Sequence, residues 1–414
     1  MIGCAGLRNL TAGTGESRIR VYNTHGRSGA RIRRRAFANA AMETGYTPQT
    51  SISEDAYLLS ILQVRQFIYS RFAVKTLHVS GGAIRFEASA QREPWREVKK
   101  QARALGYSAY RQQWGGRIIV TLVRIRTRRT ADEKKELRTS WLLFIATICT
   151  TLLAGYLMAA GDGARPWWQI ALEAASFSAG LLLILGAHEM SHKIAAMRNG
   201  VEASPPKFIP VPTIIGTLGA FIRLRSPLPD ENAAVDLGIS GPVGGFLAAI
   251  PILVAGILLS DVRAVDPATM QGGIYFAEPL LFKFIAYTLL GIPSDSTIFI
   301  HPLAFAGWVG LLVTMLNLMP IGQLDGGHIA RAMLGPRGHR ILSYGMIAAL
   351  VGLGLATQYS GWYLWAAIAA FFLRFPYPQH AGAIAPLRAR NIALAVLGLA
   401  ILVLCFMPMP VSLG

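Results

Sequence analysis

The sequence predicts an all-α polytopic membrane domain of about six to eight transmembrane helices with a re-entrant loop or hairpin, preceded by a small α+β soluble domain. Three observations carry this prediction. Hydrophobic residues make up 53% of the 414-residue chain and charged residues only 15%, a balance foreign to soluble proteins. Apolar runs of spanning length recur from Trp141 onward. The charge lies elsewhere: residues 1–140 hold 26 Lys and Arg against 10 Asp and Glu, so they carry +16 of the net +18. A basic head could suggest nucleic acid, but no recognition motif accompanies it, and attraction to anionic lipid headgroups accounts for the charge; no nucleic-acid partner is expected. Cys4, Cys149 and Cys405 are odd in number and widely scattered, so they predict neither a disulfide framework nor a thiolate metal site.

Residues 1–50 are rich in Gly, Ser, Thr and Arg, include Arg31-Ile-Arg-Arg-Arg35 and lack apolar periodicity, which predicts disorder. No apolar core follows the first basic residues, so a secretory signal peptide is not expected. The composition suits an organelle transit peptide and equally a start upstream of a true first residue at Met42.

Residues 51–130 read as the small α+β domain. Leu58, Leu59, Leu62 and Phe67 give helical spacing over Ala56 to Phe72, and Leu77 to Ala88 reads as one strand interrupted by Gly81-Gly82. Pro94 opens a helix through Val98, Ala102 and Leu105 that Gly106 closes. Tyr107 to Gln113 and Arg117 to Arg124 flank Trp114-Gly115-Gly116 as a hairpin. No nucleophile, metal cluster or phosphate loop is present, so this head reads as a binding or regulatory module or a folding aid. Residues 131–139 read as a charged linker and residues 140–414 as the membrane domain.

Trp141 to Ala160 supplies the first span, and the basic residues Arg124, Arg126, Arg128, Arg129, Lys134, Lys135 and Arg138 just before it place the head on the cytosolic, matrix or stromal side. The second span starts near Trp167-Trp168 and contains His188-Glu-Met-Ser-His192. On a helix, His188 and His192 project from one face and can reach one metal ion. Glu189 lies beside them, placed to take a proton from water at the metal and pass it to a leaving amine, as in His-Glu-x-x-His metallopeptidases. An ionisable residue at membrane depth is costly and is read as functional.

Pro205, Pro206, Pro210 and Pro212 break any helix in residues 204–229, while Ile214 to Leu224 is apolar; a re-entrant loop or short hairpin follows, whose strand edge could receive an extended substrate. The third span, Asp236 to Ser260, carries Gly238, Gly241-Pro242 and Gly244-Gly245, small residues that permit close helix approach. Leu280 to Gly291 is too short for a span and contains Lys283.

The fourth span, Pro302 to Met319, ends in Asn317-Leu-Met-Pro-Ile-Gly-Gln-Leu-Asp-Gly-Gly-His328. Pro320 should break the helix and leave Asp325 on a polar turn near the histidines, as a third ligand with an open fourth position. His328 competes for that role, with Asp325 preferred. Asn317 can offer its amide to a substrate carbonyl or oxyanion, or simply pack at the helix break. Spans near 341–357, 361–375 and 391–406 bring the expected total to seven.

Three blocks, His188-Glu-Met-Ser-His192, Asp236-Leu-Gly-Ile-Ser-Gly-Pro-Val-Gly-Gly245 and Asn317-Leu-Met-Pro-Ile-Gly-Gln-Leu-Asp-Gly-Gly327, resemble the site-2 protease family of intramembrane zinc metalloproteases. The stretch Pro205 to Phe221 is especially similar to the archaeal, bacterial and plastid members related to the ethylene-dependent gravitropism-deficient and yellow-green proteins. The resemblance covers residues 140–335 and implies one zinc ion per chain on His188, His192 and Asp325, with Glu189 as acid/base. It implies hydrolysis of peptide bonds in or beside transmembrane helices of protein substrates. The alternative is a zinc-stabilised membrane scaffold or chaperone, against which the intact Glu189 argues. A metal-ion transporter would need further intramembrane carboxylates along a path, and Glu173 is the one other obvious candidate in the second span.

Overall fold

The computed structural model describes residues 54–80, 83–114, 117–124, 130–161, 165–225, 228–264, 274–293, 296–374 and 387–413. The expectations for residues 1–50, for the Gly81-Gly82 and Gly115-Gly116 turns and for Arg126, Arg128 and Arg129 lie outside these residues. The chain divides into two compact units between Ile125 and Arg126.

The first unit contains α1 (Glu54–Arg71), β1 (Phe72–Ser80), β2 (Ala83–Gln91), α2 (Trp95–Ala104), β3 (Tyr107–Trp114) and β4 (Arg117–Arg124). The strands form one antiparallel sheet in the order β1-β2-β4-β3. Its core joins Val64, Phe67 and Ile68 of α1 to Phe72, Phe86, Val120 and Leu122 of the sheet and to Val98 and Ala102 of α2. The α1 stripe is therefore 64/67/68, an i, i+3, i+4 face. Leu62, assigned to that face from its spacing, is exposed instead. The single interrupted strand expected over 77–88 is two strands paired from Ser80↔Ala83 to Phe72↔Gln91, because two residues between antiparallel strands suffice for a hairpin. Pro94 caps α2 and Gly106, at φ +80°, follows its end, as read from the sequence.

The second unit is mostly helical. Its main helices are α3 (Thr130–Ala160), α4 (Trp167–Arg198) and α5 (Glu231–Leu258). Two short strands between α4 and α5, β5 (Lys207–Pro210) and β6 (Thr217–Phe221), form the hairpin foreseen there. After α5 come β7 (Asp261–Ala264), β8 (Ile274–Phe276), the short α6 (Leu280–Lys283) running into a π turn (Phe284–Leu289), and β9 (Ser296–Phe299). Then follow α7 (Pro302–Leu318), α8 (Asp325–Thr357), α9 (Gly361–Phe372), α10 (Ala389–Cys405) and β10 (Val411–Leu413). Among the described residues α3, α4, α5 and α8 are long and apolar enough to cross a membrane; the helical segments over 280–289, 302–318, 361–371 and 389–405 are apolar but shorter. Large apolar side chains stay exposed along them, including Trp141, Leu142 and Leu157 of α3 and Leu172 and Leu183 of α4, as a lipid-facing surface requires.

Two expectations change here. Ala131 to Arg138, read as a linker from its charges, is helical and continuous with the first span. Charge marks a solvated face but does not stop a helix, and Lys and Glu are good helix formers. Asp325, expected on a turn, is the first residue of α8, whose φ/ψ break at Gly335 precedes Pro336.

The core of this unit lies among α4, α5 and α7, around Phe177, Leu181, Ile184, Leu253 and Leu311. Small residues bring these helices close: a Cβ at Gly307 would stand 3.0 Å from the Leu253 backbone. The hairpin lies along α3. Phe208 of β5 meets Phe144 with ring centroids 5.0 Å apart, and a side chain at Gly216 would strike the backbone of Thr150 and Thr151.

Candidate metal centre

On α4 the four-residue spacing turns His188 and His192 to one face, with ring centroids 4.7 Å apart. Their Nε2 atoms are 3.0 Å apart, and each lies 3.2 Å from Asp325 Oδ2. These three groups form a nearly equilateral triangle of donor atoms. A tetrahedral ion with bonds of about 2.0–2.1 Å separates its ligands by about 3.3 Å, so the triangle fits one ion above its face.

The protonation pattern points the same way. His192 Nδ1 is 2.9 Å from the Leu237 carbonyl, which only accepts, so Nδ1 carries the proton and, in the neutral ring that a metal ion requires, Nε2 presents a lone pair. That lone pair faces the Asp325 carboxylate and the second imidazole. Acceptors converging on one point call for a cation between them, and the oriented Nδ1–H is the usual support of a metal-bound histidine. His188, Glu189 and His192 are all buried.

The wall opposite α4 is the small-residue face of α5. A side chain at Gly241 would fall on His192 Nε2 itself, and one at Gly244 on Ser191 Oγ. A Cβ at Gly245 would stand 3.2 Å from His188 Nδ1, and one at Gly238 2.7 Å from the Asp325 carbonyl oxygen. The run read as a helix-approach surface therefore makes room for the imidazoles. α5 also supplies Ser240, whose hydroxyl donates to Leu237 O at 2.8 Å and lies 3.4 Å from His192 Nδ1.

Asp325 arrives from the break between α7 and α8. Gly322, at φ +51°, makes the turn after Pro320, and at Gly326 a side chain would meet the Leu318 carbonyl, so the first turn of α8 lies tight against the end of α7. A carboxylate at a helix start is favoured by the helix dipole. Asn317, on the last turn of α7, places Nδ2 3.3 Å from His188 Nε2 and so borders the triangle. His328 is buried one turn along α8 and is not among the three converging groups. The Glu189 carboxylate lies against the backbone of Ile222, the residue after β6. The sequence reading missed Leu237, Ser240 and Ile222. Two of them act through backbone atoms, which no residue type announces. Glu173, the possible second carboxylate of a transport path, is ion-paired with Arg165, and its 15-residue separation from His188 amounts to about 22 Å along α4.

Residues 176–358 match the family model for peptidase family M50. The chain is 36% identical over 179 residues to the probable zinc metalloprotease EGY1, chloroplastic, of Arabidopsis thaliana, which covers 42% of this chain and 32% of that protein. It is 36% identical over 182 residues to the Oryza sativa subsp. japonica protein of the same name, covering 42% and 31%. To the probable zinc metallopeptidase EGY3, chloroplastic, of Arabidopsis thaliana it is 31% identical over 212 residues, covering 47% and 35%. The matches span about a third of the length of these relatives. No solved structure gives a significant match. The matched segment contains all three converging groups and Glu189, and it is in this segment that the chain is similar to peptidase family M50 and to the EGY proteins.

Proposed function

We propose that this chain is a zinc metalloendopeptidase that hydrolyses a peptide bond in or beside a transmembrane segment of another membrane protein. The observation that carries this reading is the buried triangle of His188, His192 and Asp325 with Glu189 beside it. Two imidazoles and one carboxylate are a hydrolytic zinc donor set. When bound, zinc supplies Lewis acidity that polarises a carbonyl and lowers the pKa of water.

The chain's own residues do the rest. Leu237 O and Ser240 hold the His192 ring so that Nε2 points into the site. Glu189 takes the proton of the attacking water as the new C–O bond forms, and returns it to the amide nitrogen as the C–N bond breaks. Asn317 offers its amide N–H to the developing oxyanion. Burial of the site excludes bulk water, which strengthens these interactions.

A peptide bond inside an intact helix is shielded, so the substrate must enter extended. The hairpin supports this. β5 rests on α3, β6 pairs only with β5 among the described residues, and β6 ends beside Glu189. Its outer edge can take a further strand, the substrate backbone, by β-augmentation. We further propose that seven helices cross the bilayer, α3, α4, α5, α7, α8, α9 and α10, with α6 and the π turn at the interface. The basic residues before Trp141 then put the head and the His188 end of α4 on the cytosolic or stromal side. The membrane is that of a bacterial or archaeal cell, or of a plastid.

The test is a panel of single-span membrane proteins incubated in lipid with the purified chain. Cleavage in or near the span, abolished by chelation and restored by zinc, is expected. Cleavage that survives complete zinc removal would contradict the proposal.

A further inference from the structure

Outside the ligand triangle, a second buried polar cluster of the membrane unit lies on α8 beyond the break at Gly335. His339 and Ser343, one helical turn apart, are buried at 6% and 0% exposure. His339 Nε2 lies 3.0 Å from the Gly322 carbonyl, and Ser343 Oγ accepts the Gly322 backbone N–H at 3.2 Å. The same hydroxyl reaches the Pro320 carbonyl at 3.4 Å. Gly322 is thus gripped at both ends of its backbone by one face of α8. A carbonyl only accepts, so His339 presents Nε2–H; the Ser343 hydroxyl donates to Pro320 while accepting from Gly322.

Gly322 is also the hinge of the turn that delivers Asp325. Its φ of +51° favours glycine, and the three residues after it lead directly to the carboxylate ligand. From the other side, the first turn of α8 presses on the same peptide: a side chain at Gly327 would strike the Gly322 carbonyl. The break at Gly335 redirects the helix, so residues 339 and 343 return to the turn that precedes their own helix.

We propose that His339 and Ser343 are positioning residues for the metal site, fixing the Pro320–Leu324 turn so that Asp325 Oδ2 completes the triangle with His188 and His192. They touch neither metal nor substrate. Without them the Gly322 peptide loses both partners, and the turn is left with its local bonds, Ile321 N–H to the Met319 carbonyl at 2.7 Å and Leu324 N–H to the Ile321 carbonyl at 3.1 Å. Partners bonded directly to a metal ligand are worth about 10- to 100-fold in metal affinity, and a support acting through the ligand's turn is expected at the lower end of that range.

The inference rests on the metal reading above, and the test separates the two. Zinc affinity of the purified full chain in lipid is measured by chelator competition for wild type, His339→Ala, Ser343→Ala and His339→Gln. A control, Thr151→Val, removes the buried 2.7 Å hydrogen bond to Ser178, remote from the turn. Zinc affinity should fall about tenfold or more in both alanine variants. It should recover in His339→Gln, whose amide can donate to Gly322, and stay near wild type in Thr151→Val. Wild-type affinity in Ser343→Ala and His339→Ala would overturn the positioning role, as would an equal loss in Thr151→Val. If His339→Ala does not fold, Ser343→Ala and His339→Gln decide alone. A wild type that binds no zinc would instead refute the metal reading.

Discussion

At the scale of single residues, the site depends on missing side chains as much as on present ones. Gly241 leaves the space that His192 Nε2 occupies, so Gly241→Ala puts a methyl group where the ring must be. Overpacking of this kind costs about 1–3 kcal/mol, and here the ring is what can yield. Zinc content should drop at least tenfold in Gly241→Ala by elemental analysis, while Gly186→Ala, where nothing lies within 4 Å, should keep its zinc. The convergence of the two histidines was legible in the sequence because their four-residue spacing alone fixes their common face. Asp325 was legible from its block, but only the folded turn distinguishes it from His328. The Leu237 carbonyl was not legible: any residue there supplies one, and only the approach of α5 to α4 aims it at His192.

Secondary-structure elements carry the site's coupling to its surroundings. Glu136, in the stretch whose charges suggested a linker, is buried on α3 and binds both ends of the hairpin. Its Oε1 is 3.3 Å from Lys207 Nζ at the start of β5, and its Oε2 is 2.6 Å from Arg225 Nη2 beyond β6. Glu136→Gln removes the carboxylate facing Lys207 and leaves Arg225 with the more exposed Glu133 at 3.7 Å, a loss of about 1–3 kcal/mol after allowing for the partial exposure of both cations. Amide exchange over 207–225 should accelerate and KM should rise, with kcat nearly unchanged, if the hairpin receives substrate. Unchanged exchange there would show that the ion pairs do not hold it.

α7 has a titratable cap. The His301 ring accepts the Leu303 N–H at 3.1 Å through Nδ1, and burial pushes its pKa below the ordinary 6.5 despite nearby Glu173. The unfolded chain therefore takes up the proton first as pH falls. The cap's contribution is full above about pH 6.5 and is lost as pH falls from there through the lower folded value. His301→Asn, a cap that does not titrate, should flatten the difference in thermal midpoint between about pH 5 and pH 7. An unchanged slope would place that dependence elsewhere.

For the molecule as a whole, the division into a basic head and an apolar body was legible because charge and hydropathy are sums over long stretches, insensitive to local errors. The boundary falls between Ile125 and Arg126. The sheet order β1-β2-β4-β3 was not legible, since strand pairing is set by contacts distant in sequence. Nor was the return of α8 onto its own preceding turn, which needs the Gly335 break as well as the Pro320 break. The central claim concerns the whole assembly: helices that place a metal site and a proton-transferring carboxylate together in the membrane. The measurement that addresses it most directly compares wild type with Glu189→Ala at matched zinc content, on one cleavable single-span substrate in lipid. The account predicts that Glu189→Ala keeps its zinc and loses about 10²–10⁴-fold in kcat. Equal turnover by the two zinc-loaded proteins would contradict it.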